Sequence, residues 1–292
     1  MSVTSPRSVA ERFRLSARAE PVCLGEIDPR VYGYVWRHTA PTAALVLVHG
    51  LQSHAGWFSD AAEVLLDRGL AVYALDRRGS GSSVATRGDI ERYPDWLDEV
   101  GAMVRLARAE HPNVPVHLVG HCFGANIALG TILTGRVAEV RSLIMLTPGF
   151  YVLPDYTIGE KLGIALSALF APARRFRVPQ DDGLFSRDPE VLAWIGADQL
   201  GARSLTARCL WQINKMLGML RRGAADLQIP LLVCEAARDR LSDNTRNRAL
   251  LAAALGERCQ WATFDAEHFL LAEPCRDQVL DALDAWVTKQ EA

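Results

Sequence analysis

The chain has 292 residues, of which 49% are hydrophobic and 23% charged, and carries a formal net charge of -2 at pH 7. That length suffices to bury a full core, and α/β folds of this size often form one domain. The near-neutral balance gives no basic footprint for nucleic acid, and the absence of any apolar run of about 18 residues excludes a spanning helix and hence stable membrane insertion. Residues 1–19 lack the apolar stretch of a secretory signal. Their Arg- and Ser-rich composition resembles a transit peptide, but Glu11 and ordinary surface composition account for it as well. The six cysteines, at 23, 122, 209, 234, 259 and 275, show no C-x-x-C pairing. Dispersed thiols in a long chain read as a reduced, cytoplasmic protein whose cysteines are mostly small buried hydrophobes.

In chain order, Pro21 to Arg37 mixes β-formers with turn residues such as Asp28-Pro29, which predicts an antiparallel hairpin at a sheet edge. Ala43 to Val48 is a continuous apolar run, as in a strand buried on both faces. Phe58 to Arg68 has helical apolar spacing, and Leu70 to Leu75 reads as a strand. Pro94 to Glu110 reads as a helix with Pro and Asp95 in its first turn. Strands follow at Val116 to Val119 and Arg141 to Leu146, with a helix at Phe123 to Thr134 between them. After a gap the alternation resumes with a strand at Ile229 to Cys234, a helix at Asn244 to Leu255, a strand at Cys259 to Phe264 and a helix at Arg276 to Val287. Such alternation predicts an α/β fold, a mainly parallel central sheet flanked by helices. The gap, residues 149–223, has helical patterns and no good strand. It is too long for a plain connection and reads as a helical cap over the carboxyl edge of the sheet, with residues 1–148 and 224–292 forming the core.

One segment carries chemistry. Val116 to Ala125 is a strand, a G-x-C-x-G turn and a helix, which resembles the nucleophile elbow of α/β-hydrolases with Cys122 in place of serine. A nucleophile in a strained, positive-φ turn requires Gly120 and Gly124 to be small so that strand and helix can approach closely. Asp239 lies just past the strand ending at Cys234, and His268 in the loop after the next strand. Nucleophile, acid, histidine is the chain order of that fold. His268 would take the thiol proton and return it to the leaving group, and Asp239 would fix its tautomer. Asp243 and Asp265 are nearby alternatives for the acid. The turn Val48-His49-Gly50 points to the backbone amides of Leu51 and Phe123 as oxyanion donors. The run Asp76 to Ser83 reads as a structural glycine turn and lacks dinucleotide spacing. The seven histidines form no metal-binding pattern, so neither a metal nor a cofactor is expected.

Beyond the fold, His49 to Gly56, Gly120 to Gly124, Phe185 to Val191, Ala237 to Arg240 and His268 to Pro274 resemble the monoacylglycerol lipase and lysophospholipase group. The similarity runs from about residue 28 to 288. It implies cleavage of monoacylglycerols, lysophospholipids and related esters by an enzyme whose cap holds an acyl chain, and it makes His54 a substrate-binding candidate. The chain departs from the group in having Cys122 for serine and Phe269 where an acidic residue usually follows the histidine.

A thiol forms a thioester acyl-enzyme and exchanges with other thioesters at little net cost, so the first expectation is a Cys-dependent acyltransferase or thioesterase. Its partner would be a small acyl ester or thioester. An acyl- or peptidyl-carrier protein could dock on the basic residues Arg174, Arg175, Arg177, Arg221 and Arg222, although such runs are more often solvated helix ends. The alternative is a monoacylglycerol-lipase-like ester hydrolase. A non-catalytic ligand-binding homologue is a third reading, disfavoured because Asp239 and His268 both stand. The apolar residues Leu162, Ile164, Leu166, Leu169, Phe170 and Leu217 of the cap are candidates for an acyl pocket or for plain packing.

Overall fold

The computed structural model describes residues 8–25, 28, 30–83, 86–137 and 139–291. After a single helical turn, α1 (Val9–Arg12), the chain forms the antiparallel hairpin β1 (Glu20–Cys23) and β2 (Tyr32–Trp36). Pro29 of the expected turn lies outside the described residues. There follow β3 (Ala43–Val48), α2 (Ser59–Asp67), β4 (Leu70–Leu75), α3 (Tyr93–Glu110), β5 (Val116–His121), α4 (Phe123–Leu133) and β6 (Val140–Leu146).

The segment between the sixth and seventh strands of the main sheet holds α5 (Ile158–Phe170), β7 (Arg175–Arg177), α6 (Pro189–Ala197), β8 (Ser204–Thr206) and α7 (Ala207–Gly223). The core then closes with β9 (Leu231–Ala236), α8 (Asn244–Leu255), β10 (Cys259–Phe264) and α9 (Arg276–Glu291). The main sheet has eight strands in the order β1-β2-β4-β3-β5-β6-β9-β10. Pairing is parallel from β4 through β10 and antiparallel only where β2 meets β1 and β4.

Every residue of β3, β4 and β5 is buried, because helices cover both faces of the central sheet. Each leucine of that layer contributes about 1.5–3 kcal/mol by leaving water. The chain passes from β3 to β4 on one side and then crosses to β5 on the other. The loops leaving β3 and β5 therefore diverge and open a crevice at their carboxyl ends.

Boundaries shift where chemistry requires. β9 begins at Leu231, two residues later than its apolar run, because Pro230 has no N–H to give the ladder; its carbonyl still accepts from Leu143 N at 3.0 Å. β5 runs on to His121, since Gly120 and His121 pair with Met145 and Leu146. The segment read as free of strands contains the antiparallel ribbon β7–β8. Strands of three residues, two of them arginines in β7, are too short for an alternation pattern to show. α5 starts with a capping box between Thr157 and Glu160. α7 packs on α5 and also on α3 and α4, tying this segment to the core.

Under the sheet His117 Nδ1 lies 2.7 Å from Ser142 Oγ, which also accepts from Trp286 Nε1 at 2.8 Å. Burial pushes His117 down to about 4. A histidine whose pKa is depressed in the fold stabilises it above the unfolded value of about 6.5, and that contribution is lost as pH falls through the folded value. The stability difference between wild type and His117→Gln is therefore expected to shrink by roughly 1 kcal/mol from pH 7.5 to pH 5.5, read from urea unfolding. A difference that stays constant would mean that His117 takes up its proton without cost.

Candidate active site

Cys122 sits between β5 and α4 with φ 53° and ψ -117°. This conformation costs a non-glycine residue about 1–3 kcal/mol and aims the side chain out of the turn. The two flanking glycines are obligatory. A Cβ on Gly120 would lie 2.3 Å from Ala125 Cα, and one on Gly124 would lie 1.9 Å from Val48 O. Cys122 stands at the N-terminus of α4, where unpaired amides favour negative charge. Burial pushes the thiols of Cys209, Cys234 and Cys259 up to about 12, which keeps them protonated.

The loops after β9 and β10 bring the other two groups in. Asp239 Oδ2 accepts from His268 Nδ1 at 2.8 Å, and its Oδ1 accepts from the amides of Leu241 and Ser242, each at 2.8 Å. Burial works against the Asp239 carboxylate, but His268 and these amides hold it below its ordinary range. His268 is wholly buried. Burial alone would lower its pKa; the charges of Asp239 and of Cys122 outweigh that and raise it to about 10. Its Nε2 makes no hydrogen bond to another polar group among the described residues, which leaves it available to the sulfur and to a leaving group. Of the other acids, Asp243 caps α8 through Arg246 N, and Asp265 pairs with Arg238.

The histidine loop is clamped from several directions. Thr147 Oγ1 donates to His268 O at 3.2 Å. The buried Glu267 pairs with Arg187, Arg238 and Arg240, and Glu273 accepts from Glu267 N and from Ser186 Oγ. The histidine loop is thus held by residues that follow β6, β9 and β10 and by Ser186 and Arg187 of the segment between β6 and β9.

A further cation supports the loop after β3. Arg77 is 2% exposed, and its Nη2 donates to Gly50 O at 2.6 Å and to Leu51 O at 3.1 Å. Gly50 O also accepts from His49 Nδ1 at 2.9 Å, while His49 Nε2 accepts from Arg77 N. The Gly50–Leu51 peptide is trans, so the Leu51 N–H points away from the carbonyl that Arg77 holds, and Gly50 itself packs on the elbow, where a Cβ would lie 3.3 Å from Cys122 Cβ. Burial lowers Arg77 to about 10, leaving it a cation at neutral pH, with its guanidinium over the rings of Trp96 and Phe123 at 5.4 and 5.5 Å. The sequence of Asp76 to Ser83 predicts a structural turn. That holds for Asp76, whose oxygens accept from Ala55 N and Ser82 N, but it misses Arg77, whose target loop lies 26 residues upstream.

Cys122, Leu51 and Phe123 all face one cavity of about 530 Å³. Its walls include Ile164, Val178, Leu205, Leu210, Ile213 and Leu217 from the segment above the sheet. Ile164 and Leu217 thus lie where an acyl pocket would want them. Leu162, Leu166, Leu169 and Phe170 do not: they face outward, 62, 59, 73 and 83% exposed, on the far side of α5. His54 is not on the cavity wall. Its Nδ1 accepts from Gly56 N, and its Nε2 stands 3.4 Å from Asp198, which also accepts from Trp57 Nε1 at 2.9 Å. This joins the loop after β3 to the end of α6. Among the described residues, no group of three His, Cys, Asp or Glu is placed to hold a metal ion, and no helix is long and apolar enough to cross a membrane.

A mostly parallel sheet in this strand order, sharply turned at the carboxyl end of β5 and flanked by helices, defines an α/β-hydrolase. The profile of the family described as serine aminopeptidase, S33 (Hydrolase_4) matches residues 39–274, and the chain belongs to that family. It is 29% identical over 278 residues to the monoacylglycerol lipase of Mycolicibacterium smegmatis, covering 93% of this chain and 98% of the relative. It is 27% identical over 217 residues to phospholipase YtpA of Bacillus subtilis, covering 73% and 82%. The crystal structure of the Paleococcus ferrophilus monoacylglycerol lipase superposes with a TM-score of 0.77 at 20% identity, covering 89% of this chain and 99% of that one. The protein is a hydrolase of the monoacylglycerol lipase and lysophospholipase-like group.

Proposed function

We propose that the protein hydrolyses carboxylic esters of single-chain fatty acids, monoacylglycerol-like in form, through a thioester on Cys122. The observation that carries this reading is the position of the Cys122 thiol on a cavity of about 530 Å³ with apolar walls, with the His268–Asp239 pair behind it. The expectation of a thioester substrate ranks second, because the similar proteins are lipases and a phospholipase. The carrier-protein reading weakens further because two of its arginines are engaged elsewhere. Arg175 donates to Ser204 O and Arg87 O, and Arg221 lines the cavity. The outward apolar face of α5, from Ile158 to Phe170, suits an enzyme that meets its substrate at a lipid surface.

In the proposed reaction the Cys122 thiolate adds to the ester carbonyl, and the oxyanion is met by the amides of Leu51 and Phe123. The C–O bond breaks, the alcohol leaves with the proton from His268, and the acyl group remains on sulfur. Water then gives a proton to His268 as its oxygen attacks the thioester. The C–S bond breaks, releasing the fatty acid and the thiolate.

Intact-mass spectrometry and product analysis with monoacylglycerol and acyl-coenzyme A, with Cys122→Ala as control, test this. Rapid fatty-acid release from the glycerol ester, absent in the control, is the expected result. A Cys122 adduct formed only from the thioester, and discharged faster by thiol or amine than by water, would establish the transferase reading. Neither turnover nor adduct would leave a non-catalytic binding protein.

A further inference from the structure

The cavity has a charged end that ester hydrolysis does not require. Arg221 of α7 and Arg246 of α8 both lie over the ring of Tyr151, with their guanidinium carbons 4.2 and 3.9 Å from its centre, and all three residues line the cavity. Neither arginine ion-pairs with a carboxylate among the described residues. Arg221 donates to Phe150 O, and its Nε is buried without a partner. The other charged residues on this wall, Lys161 and Asp155, are bonded to each other at 2.6 Å. Two cations drawn to one ring repel; burial and the charge of Arg246 both push Arg221 below its ordinary pKa. The aromatic face offsets part of this repulsion, and an anion between the guanidiniums would offset the rest.

We infer that Arg221, Tyr151 and Arg246 form a subsite for an anionic oxygen group, a phosphate or a carboxylate, carried on the acyl donor close to its scissile ester. This rests on the ester-hydrolase reading above. The reach follows from the chain. A Cβ on Gly149 would lie 3.6 Å from Cys122 Sγ, and Tyr151 is two residues further on. At no more than about 3.6 Å per residue, the Cα of Tyr151 stands within roughly 12 Å of the sulfur, and its ring lines the same cavity. An anion carried near the ester would enter this end of the cavity while the carbonyl meets Cys122 at the other. Arg221 comes from α7, in the segment inserted between β6 and β9, and Arg246 from α8, after β9, so the subsite exists only in the assembled fold.

The test compares kcat/KM for an acyl glycerophosphate, a neutral acylglycerol of the same chain and a monoester of a dicarboxylic acid. It also measures binding of glycerophosphate against glycerol by calorimetry. Wild type is expected to favour one anionic donor over the neutral one by about tenfold or more, the scale of a charge-assisted hydrogen bond. Preference for the glycerophosphate places the anion on the leaving alcohol; preference for the dicarboxylate monoester places it on the acyl part. Arg246→Gln is expected to lower the anionic-to-neutral ratio about tenfold. Arg222→Gln, which removes an exposed charge outside the cavity, is expected to leave that ratio unchanged. If glycerophosphate binds no better than glycerol and Arg246→Gln leaves the ratio as it was while esters are still hydrolysed, the subsite is overturned and the ester-hydrolase reading stands. If glycerophosphate binds and Arg246→Gln weakens it about tenfold, yet no ester is cleaved, the subsite stands and the hydrolase reading falls.

Discussion

Cys122→Ala is expected to reduce kcat/KM for ester hydrolysis by about ten-thousandfold or more, and His268→Ala by a similar factor. The two groups act as one unit: the thiol is useful only when the imidazole takes its proton, and the imidazole has no other substrate-facing partner among the described residues. The double variant is therefore expected to be hardly slower than either single one, since a nucleophile and its base fail together. Residual activity over water would come from the oxyanion amides and from binding alone. If the losses multiply in the double variant, each residue acts independently and the shared mechanism is wrong. Iodoacetamide labelling adds a separate readout. Loss of activity in proportion to carbamidomethylation of Cys122, with Cys209, Cys234 and Cys259 unlabelled in the native state, is expected from the burial and raised pKa values of those three thiols.

Arg77→Gln is expected to lower kcat by about ten- to a hundredfold with little change in KM. Arg77 touches no substrate. Through Gly50 O and Leu51 O it holds the two successive peptides on either side of Leu51, whose amide meets the oxyanion in the proposed mechanism. An amide that meets charge developing only in the transition state raises kcat without tightening ground-state binding. Arg77→Lys, a shorter-reaching single donor, should recover part of the loss. A merely structural role would show instead as a lowered melting temperature with kcat intact in the folded fraction. Equal losses in kcat and stability after both substitutions would return Arg77 to the packing of Trp96 and Phe123.

The elbow was legible in the sequence because its causes are local. Gly120, Cys122 and Gly124 lie within five residues, and the clash at Gly120 is with Ala125 in the adjoining helix; only the clash at Gly124, with Val48 of β3, reaches a distant segment. The strand–helix alternation was legible for the same kind of reason: burial on both faces writes continuous apolar runs into β3, β4 and β5. Asp239 and His268 could be picked out from their places after strands, and the hydrogen bond between them then separates Asp239 from Asp243 and Asp265.

The segment between β6 and β9 was only half readable. Apolar residues at helical spacing in α5 look alike in sequence, yet Ile164 turns to the cavity while Leu162, Leu166, Leu169 and Phe170 turn to solvent. Periodicity reports that a helix has an apolar face but not what that face meets. His54 carried a resemblance to a pocket histidine, and Asp198, 144 residues later, draws it into the link with α6 instead. Arg77, Arg221 and Arg246 are ordinary arginines in the chain.

By itself, then, the sequence pointed to the sheet and to the strained turn at Cys122, because both follow from steric and burial rules acting over a few neighbouring residues, and resemblance to a known chain order suggested Asp239 and His268 as its partners. Only the tertiary structure decided which carbonyls Arg77 holds, which side of α5 is wet, and that two arginines 25 positions apart share one ring at the cavity wall. Those depend on contacts between distant segments, where the energy lies in the pairing and neither residue type alone records it.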